Sequence, residues 1–319
     1  MIYITVLVVL VILELWYFKI ADRFNIIDKP NERSSHSSIT LRGGGIVFYF
    51  AALIFFIYSD FQYPRFFIGL SLMTVISFLD DIFTLSNKIR LLVHFSAVLL
   101  MAYELDLFDM PWYYLLVGFI LVVGVINAYN FMDGINGITA CYSMALGVLL
   151  MIVNQKLNFI AQDLLIFMLL GVLVFSFFNF RTKAKCFAGD VGSVAIAYIL
   201  LFALGLLILK TGDLIYLLFL VVYGVDTVWT IVRRLYRKEN IFEAHRSHLY
   251  QFLANEAKIN KLLVSFTYGI LQFAIGLLVI EFSVKPLYTK LLFSGIMVGS
   301  LSIIYLIYKS YIIKKYLKI

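Results

Sequence analysis

The stretch WYYLLVGFILVVGVINAYNFMDGING, residues 112–137, decides the fold class of this chain. Its first part, residues 112–129, carries no charged side chain, and a helix that crosses a bilayer needs roughly 20 apolar residues. Its second part has a polar residue at every third position, followed by glycine. Polar groups at membrane depth are costly unless they face protein, water or ligand. The stretch therefore indicates a membrane-spanning helix with a functional site at its polar end.

The rest of the 319-residue chain has the same character. Hydrophobic residues make up 63% of it and charged residues only 14%, whereas soluble domains carry about 25% charged residues. This composition excludes an ordinary soluble globule, a disordered chain, a collagen and a disulfide scaffold. The net charge of +7 has no basic soluble domain to accompany it, so it indicates membrane topology and not nucleic-acid binding.

Ten further apolar segments predict more spans. We expect an all-α integral membrane protein, a polytopic bundle of about eleven transmembrane helices that forms a single domain over residues 1–319. The first segment lacks a basic n-region and a small-residue cleavage site, so we interpret it as a retained helix and not a signal peptide. The predicted spans are 2–20, 43–59, 66–80, 89–104, 112–129, 138–153, 163–180, 191–209, 213–232, 261–281 and 288–309.

The distribution of Lys and Arg predicts the orientation. Most of the 26 basic residues lie after spans 1, 3, 5, 7 and 9 and in the C-terminal tail. The positive-inside rule then puts the N-terminus outside and the C-terminus in the cytoplasm. The same cytoplasmic connections carry the unusual Asp, Asn, His and Gly residues, so the site should face the cytoplasm. Cys141 and Cys186 also fall near this face, and we expect free thiols there.

The first cytoplasmic loop reads DKPNERSSHSSITLRGGG, residues 28–45. His36 and Arg42 are candidates for contact with phosphate. The glycine run 43–45 lets backbone approach a ligand or a neighbouring helix closely. The alternative is a basic juxtamembrane loop attracted to anionic lipid.

The second loop begins with two adjacent carboxylates, Asp80 and Asp81, at the inner end of the third span. Such a pair repels unless a cation or a proton resolves it. Magnesium usually takes one or two carboxylates together with substrate phosphate. The alternative is a solvated helix end.

The third loop holds four polar residues at helical intervals: Asn127, Asn130, Asp133 and Asn136. No basic residue lies in this loop, so Asp133 has no local partner. A bound cation or a remote Arg is therefore favoured.

The fourth loop places Asp190, in the sequence GDVGS, directly before an apolar helix. Free amides at a helix N-terminus bind anions, and an Asp among them is sensible if it holds a metal that bridges to phosphate. The alternative is a helix cap. The Phe187 ring either stacks on a base or packs in the protein, and the residues leave both open.

The fifth loop is the longest and the most basic. His245 and His248 would share a face of a helix, but two histidines make a weak zinc case. Together with Arg246 they suit a phosphate clamp. Asp226, inside the preceding span, is either functional or pairs helices, and the neighbouring basic run is explained by topology control alone.

These loops together present acids from three connections and basic or His residues from three, all on one face. We therefore expect Asp80, Asp133 and Asp190 to converge around one divalent ion. Such a set suits a nucleotide-pyrophosphate substrate held through magnesium. The chemistry would be phosphoryl transfer, where catalysis is mostly positioning and charge neutralisation.

The chain resembles the polyprenyl-phosphate N-acetylhexosamine-1-phosphate transferase superfamily, glycosyltransferase family 4. That superfamily includes phospho-MurNAc-pentapeptide translocase, the undecaprenyl-phosphate GlcNAc-1-phosphate transferases and the eukaryotic dolichyl-phosphate enzyme. The resemblance covers nearly the whole chain and rests on five motifs in order. They are DKPNERSSHS with RGGG, FLDD, NAYNFMDGING, FAGDVGS and the HRSH loop.

The resemblance implies a role for each matching residue. Asp190 is the implied ligand of Mg²⁺, with Mn²⁺ as an alternative. The implied catalytic residues are Asp80, Asp81, Asp133, His245 and His248. The implied substrate-binding residues are Asn127, Asn130, Asn136, Phe187, Arg246, His36 and Arg42. Many relatives carry Asp at the position of Asn136, which weakens the case for a charge there.

The implied reaction is attack of undecaprenyl phosphate on the β-phosphate of a UDP-N-acetylhexosamine, with release of UMP. The string AHRSHLYQ is similar to members that initiate O-antigen or other surface polysaccharides at the bacterial inner membrane. Membrane lipid is a further expected partner, and a homodimer is one option. One alternative is the MurNAc-pentapeptide enzyme, which has a denser His cluster. The others are a proton- or sodium-coupled transporter, which should show mid-span charges and inverted repeats, and a non-catalytic scaffold.

Overall fold

The computed structural model describes residues 1–29, 39–83, 85–240 and 245–317, and helices account for most of them. A two-stranded antiparallel sheet follows the first helix and joins β1 Ile27–Asp28 to β2 Thr40–Leu41. The helices are α1 Ile2–Arg23, α2 Ile46–Tyr58, α3 Pro64–Phe83, α4 Asn87–Glu104, α5 Trp112–Met132, α6 Ile138–Leu157, α7 Gln162–Asn179, α8 Gly189–Thr211, α9 Val221–Tyr236, α10 Leu249–Gln251, α11 Lys261–Phe282 and α12 Leu287–Ile312.

Three of these helices are extended by tighter or wider turns. A 3₁₀ segment, Leu214–Leu220, leads directly into α9, and π turns follow α10 at Phe252–Glu256 and α12 at Ile313–Leu317. A further 3₁₀ turn, Leu107–Asp109, lies between α4 and α5.

Within the described residues, nine helices are long and apolar enough to cross a membrane, α9 being counted with its 3₁₀ segment. The predicted all-α polytopic membrane fold is therefore confirmed. Each of the eleven predicted segments is helical, but α2 has only 13 residues and α4 carries Lys88, Arg90 and Glu104. These two helices explain why the number of spans by length and composition falls below the predicted eleven.

Helix α8 forms the centre of the bundle. It packs against α2, α3, α5 and α6, and its side chains are buried along most of its length. Helix α12 lies at the periphery, with few buried residues. Helix α8 therefore carries Asp190, at its N-terminal end, into the middle of the bundle.

A buried glutamine stabilises the point where the 3₁₀ segment turns into α9. Gln272 of α11 donates to the carbonyl of Leu218 at 3.0 Å and accepts from the amide of Val222 at 3.1 Å. Tyr142 of α6 also donates to Gln272, at 2.8 Å. Because polar groups inside a bilayer must be paired within the protein, Gln272 lets the chain change helix type at this depth.

The connections that follow the even-numbered predicted spans, which do not include the five loops described above, lie at one end of the bundle. Tyr3, near the N-terminus, donates to Asp163 at the start of α7 at 2.9 Å. Lys290 at the start of α12 forms an ion pair with Asp213, which follows α8. The first to fifth loops, which hold the predicted site, therefore lie together at the opposite end. That this end faces the cytoplasm stays a prediction.

Candidate active site

The first and fourth loops join through their backbones. Leu41 forms a parallel bridge with Cys186, the amide of Phe187 donates to the carbonyl of Leu41 at 2.8 Å, and the amide of Gly44 donates to the carbonyl of Phe187 at 2.9 Å. Phe187 is half-buried at this junction, and its predicted contact with a base stays a prediction. Cys186 and Cys141 are free, as predicted.

Two glycines bring the starts of α2 and α8 into direct contact. A Cβ atom on Gly45 would lie 2.4 Å from the Cα atom of Gly192, and a Cβ atom on Gly192 would lie equally close to Gly45. The predicted close approach of the glycine run to a neighbouring helix is thereby confirmed. The contact carries Arg42, just before α2, to the end of α8 that holds Asp190.

Arg42 bridges two carboxylates from different loops. Its Nε atom lies 2.8 Å from Asp81, and its terminal nitrogen lies 3.2 Å from Asp190. The Tyr17 hydroxyl donates to the Arg42 carbonyl at 2.6 Å and fixes this backbone. Burial by itself lowers the pKa of Arg42, but the two carboxylates raise it by more, so its pKa is above the usual value. The guanidinium therefore stays charged between Asp81 and Asp190.

Asp81 also closes the N-terminus of α8. It accepts the amide of Asp190 at 3.4 Å and that of Val191 at 3.3 Å. Gly189, with φ of +70°, leaves room for this carboxylate, since a Cβ atom there would lie 2.8 Å from it. Free amides at a helix start favour a negative group, and Asp81 from α3 supplies one.

A second arginine, Arg90 of α4, was not singled out from the sequence. It lies 2.7 Å from Asp80 and 3.9 Å from Asp190. Asp80 also accepts the amide of Leu85 at 2.7 Å. The adjacent carboxylates Asp80 and Asp81 therefore turn to different arginines, which resolves the repulsion expected from the sequence.

Asp133 lies just after α5 and has a nearby partner at the start of α6 that was not predicted from the sequence. The Thr139 hydroxyl donates to it at 2.6 Å. Burial raises the pKa of Asp133 to about 6, the Thr139 hydrogen bond opposes that rise, and the charge of Asp190 adds to it. The charge of Arg42 lowers the pKa of Asp133. Both charges of the Arg42–Asp190 pair therefore act on Asp133.

The third and fourth loops are tied together by two asparagines. Asn179 accepts the amide of Gly137 at 2.7 Å and donates to the carbonyl of Cys186 at 2.9 Å. Asn136 is buried and donates to the carbonyl of Arg181 at 2.7 Å. Because the side-chain nitrogen of Asn136 is bonded to a backbone carbonyl, a contact of this residue with substrate would use its Oδ1 atom. Asn179 was absent from the predicted site.

Two predicted substrate contacts lie apart from these bridges, and a third is not among the described residues. Asn127 is exposed, and its side chain donates back to Val123 on its own helix at 2.8 Å. Asn130 is half-buried one turn further on. His36 lies outside the described residues. Binding of substrate by these three stays a prediction.

The fifth loop brings its two histidines together without a shared helix. Helix α10 begins only after His248, which is its N-cap, yet the rings of His245 and His248 stack with centroids 5.1 Å apart. His248 is 1% exposed, whereas His245 is half-buried. Burial, with the nearby positive charge of Arg234, lowers the pKa of His245 to about 4. His245 is therefore neutral near pH 7.

The fifth loop docks on the third. The Tyr250 hydroxyl donates to the carbonyl of Phe131 at 2.9 Å, and a Cβ atom on Gly134 would lie 2.1 Å from that hydroxyl. The Phe131 ring lies 6.1 Å from His245 between centroids. Arg246 forms an ion pair with Glu256 at 3.0 Å, and its predicted contact with phosphate stays a prediction.

Two of the clustered carboxylates, and not the predicted three, form a possible donor set for a divalent cation. Among the residues that the structure describes, no three His, Cys, Asp or Glu side chains form a metal-binding group, so Asp80, Asp133 and Asp190 do not jointly surround one ion there. Asp81 and Asp190 do converge on one cationic group, the guanidinium of Arg42. Because Mg²⁺ usually needs only one or two carboxylates and substrate phosphate, this donor pair fits the ion.

Loops from five inner helix ends thus gather carboxylates, guanidiniums and a neutral histidine at the edge of a membrane bundle. This arrangement defines a polytopic membrane protein with a polar site suited to phosphorylated ligands. Residues 63–209 match the family model described as glycosyl transferase family 4. This match and the curated relatives below support the polyprenyl-phosphate hexosamine-1-phosphate transferase family, as the resemblance predicts.

Curated relatives extend the similarity over most of the chain. A probable undecaprenyl-phosphate N-acetylglucosaminyl 1-phosphate transferase of Bacillus subtilis is 26% identical over 256 residues, 74% of this chain and 71% of the relative. The undecaprenyl-phosphate alpha-N-acetylglucosaminyl 1-phosphate transferase of Thermotoga maritima is 28% identical over 77% of this chain and 80% of its own length. That of Escherichia coli K12 is 26% identical over 74% and 71%.

Proposed function

We propose that this protein transfers an N-acetylhexosamine 1-phosphate from a UDP-sugar to undecaprenyl phosphate. The products are undecaprenyl-diphosphate-sugar and UMP. The names of the relatives support the acceptor and the N-acetylglucosaminyl group. The observation that carries the proposal is the bridge that Arg42 makes between Asp81 and Asp190, near the half-buried Asp133.

This cluster suits a diphosphate because it offers both signs of charge. Three carboxylates each have an oxygen within 4 Å of a guanidinium nitrogen of Arg42 or Arg90. Guanidinium groups bind phosphate oxygens in a fork, so Arg42 and Arg90 can leave their carboxylates for the substrate. Asp81 and Asp190 would then hold Mg²⁺, which when bound neutralises the diphosphate.

The reaction needs a phosphate oxygen of the lipid, free of its proton, in line with the β-phosphorus of the nucleotide sugar. An oxygen–phosphorus bond forms to the β-phosphate, and the bond from the β-phosphorus to the bridging oxygen breaks to release UMP. Asp80 or Asp81 is the proposed base, since both lie where a helix end meets the loops. If Asp81 is the base, Asp190 alone would hold the ion. We assign to the half-buried, neutral His245 a hydrogen bond to a phosphate oxygen.

The cellular role follows from this reaction and the sequence of the fifth loop. We place the protein in the bacterial inner membrane, where a bilayer-embedded lipid acceptor reaches the loop end of the bundle from the side. The site would face the cytoplasm and its nucleotide sugars. The product would start an O-antigen or another surface polysaccharide.

The deciding experiment is an assay with purified protein, undecaprenyl phosphate and Mg²⁺. The donors are UDP-GlcNAc, UDP-GalNAc, their 6-deoxy counterparts and UDP-MurNAc-pentapeptide, and the readout is UMP. We expect release with at least one UDP-N-acetylhexosamine and none without the lipid. Release with UDP-MurNAc-pentapeptide alone would assign the protein to peptidoglycan synthesis. A folded sample that releases no UMP with any donor would overturn the proposal.

A further inference from the structure

A buried aspartate of α9 holds the fifth loop from within the membrane bundle. Asp226 is 2% exposed and accepts the backbone amides of Leu249 at 2.9 Å and Tyr250 at 3.3 Å. The hydroxyl of Tyr268, from α11, donates to it at 2.8 Å. Carboxylates inside a membrane helix are costly unless they are paired. Here the partners are the first amides of α10, at the edge of the candidate site.

The same aspartate also holds His248. The Nδ1 atom of His248 lies 3.3 Å from Asp226, and the histidine is almost entirely buried. Lys309, a buried lysine of α12, donates to the carbonyl of Ser247. Side chains from α9 and α12 therefore hold residues 247–250 of the fifth loop, and Tyr268 of α11 in turn holds Asp226.

We call the contacts of Asp226 and Lys309 with residues 247–250 the clasp. His245 lies on its far side. Its ring stacks on His248 at 5.1 Å between centroids and lies 6.1 Å from Phe131, two residues before Asp133. A shift of His248 would therefore move His245 relative to the third loop. A displacement of about 1 Å at a catalytic group, even when caused from a distance, can cost about 100-fold in rate.

We propose that Asp226 is a positioning residue for the transferase reaction. Through His248 and the first amides of α10 it fixes His245 beside the third loop, while His248 itself serves as the link and not as a contact to substrate. This inference rests on the proposed function. The competing role for Asp226 is to hold α9 to α11 through Tyr268, with no action on the histidines.

The first test measures the clasp without any turnover. Amide hydrogen exchange is followed for residues 245–256 in the full-length protein and in Asp226→Asn. We expect the amides of Leu249 and Tyr250 to exchange at least about tenfold faster in the variant, because protection follows the free energy of local opening. Unchanged exchange there would overturn the proposal even if the protein has no transferase activity. The exchange result thus stands apart from a failure of the proposed function.

The second test is a double-mutant cycle on UMP release. His245→Gln keeps a hydrogen-bonding side chain so that turnover stays measurable. We expect Asp226→Asn to lower kcat about 100-fold in the natural chain but less than about threefold in the His245→Gln chain, since residues that act together are not additive. Equal losses in both chains would assign Asp226 to helix packing and overturn its action through His245.

Asp213→Asn is the matched control. Asp213 also lies near α9, but it pairs with Lys290 at the opposite end of the bundle. Because it has no part in the fifth loop, its substitution should leave kcat within about threefold, the usual range for changes away from a site. A loss equal to that of Asp226→Asn would mean that any carboxylate of this helical segment matters, which would contradict the proposal.

Discussion

Arg42 separates two carboxylates that would otherwise repel each other. Its Nε atom and a terminal nitrogen each reach a different partner, Asp81 or Asp190. We expect Arg42→Lys to lower the rate of UMP release at least about tenfold, because an ammonium is a point charge that cannot span two carboxylates as a guanidinium fork does. The measurement is steady-state turnover.

The control for Arg42 is Arg65→Lys. Arg65 lies at the opposite end of the bundle, with its guanidinium 4.2 Å from the Tyr103 ring centroid. This exchange should change turnover by less than about twofold, as is usual for substitutions away from a functional site. If Arg42→Lys behaves like Arg65→Lys, the bridge has no part in the reaction.

Asp190 is the residue on which the proposed magnesium site depends. We expect Asp190→Asn to abolish turnover and to flatten the dependence of any residual rate on Mg²⁺, because an amide oxygen carries no charge for the ion. Thermal unfolding in detergent should stay close to that of the natural protein, since Asp190 is a partly exposed side chain. Full activity in this variant would remove the metal assignment.

Asp133 should make stability depend on pH in a defined window. Its pKa rises from 3.8 to about 6 on burial, so the folded protein binds this proton more tightly than the unfolded chain. The stabilising effect of that proton is complete below pH 3.8 and is lost as the pH rises through about 6. We expect the Tm of the natural protein, relative to Asp133→Asn, to fall between these values and then stay level. A constant difference across this range would contradict the raised pKa.

Several residues of the candidate site could be predicted from the sequence because their neighbours mark them. Asp190 stands between glycines before an apolar helix, and Asp81 adjoins another carboxylate. Arg90 and Asn179 have no such local pattern, since each acts on a loop that lies elsewhere in the chain. Asp226 was noticeable as a charge inside a span, but its partners on α10 emerge only from the three-dimensional arrangement.

At the scale of elements, the contact between α2 and α8 sets the geometry of the cluster. We expect Gly45→Ala to lower the Tm and to reduce UMP release, because a Cβ atom would lie 2.4 Å from Gly192. Overpacking of this kind costs about 1–3 kcal/mol. Gly124→Ala is the matched control, since a Cβ atom at Gly124 of α5 meets nothing within 4 Å. Equal Tm values for the two variants would show that the helices separate freely.

Apolar runs predicted the helices well, because the length of a span is imposed by the bilayer. Elements without such a run were missed. The short pairing of β1 with β2 depends on a bridge to the fourth loop, and α10 depends on the carboxylate of Asp226. Both are stabilised by distant residues, so a local pattern could not reveal them.

At the scale of the whole molecule, the five loops that hold the candidate site gather at one end of the bundle, and the excess of Lys and Arg near that end predicts that it faces the cytoplasm. Lys238, after α9, and Lys285, between α11 and α12, are exposed at opposite ends. We expect a membrane-impermeant maleimide to label Lys285→Cys, but not Lys238→Cys, in intact spheroplasts. After lysis both should react. The unsubstituted chain is the control, because Cys186 is buried and Cys141 lies half-buried on α6. Labelling of Lys238→Cys alone before lysis would invert the topology and place the site on the side without cytoplasmic nucleotide sugars.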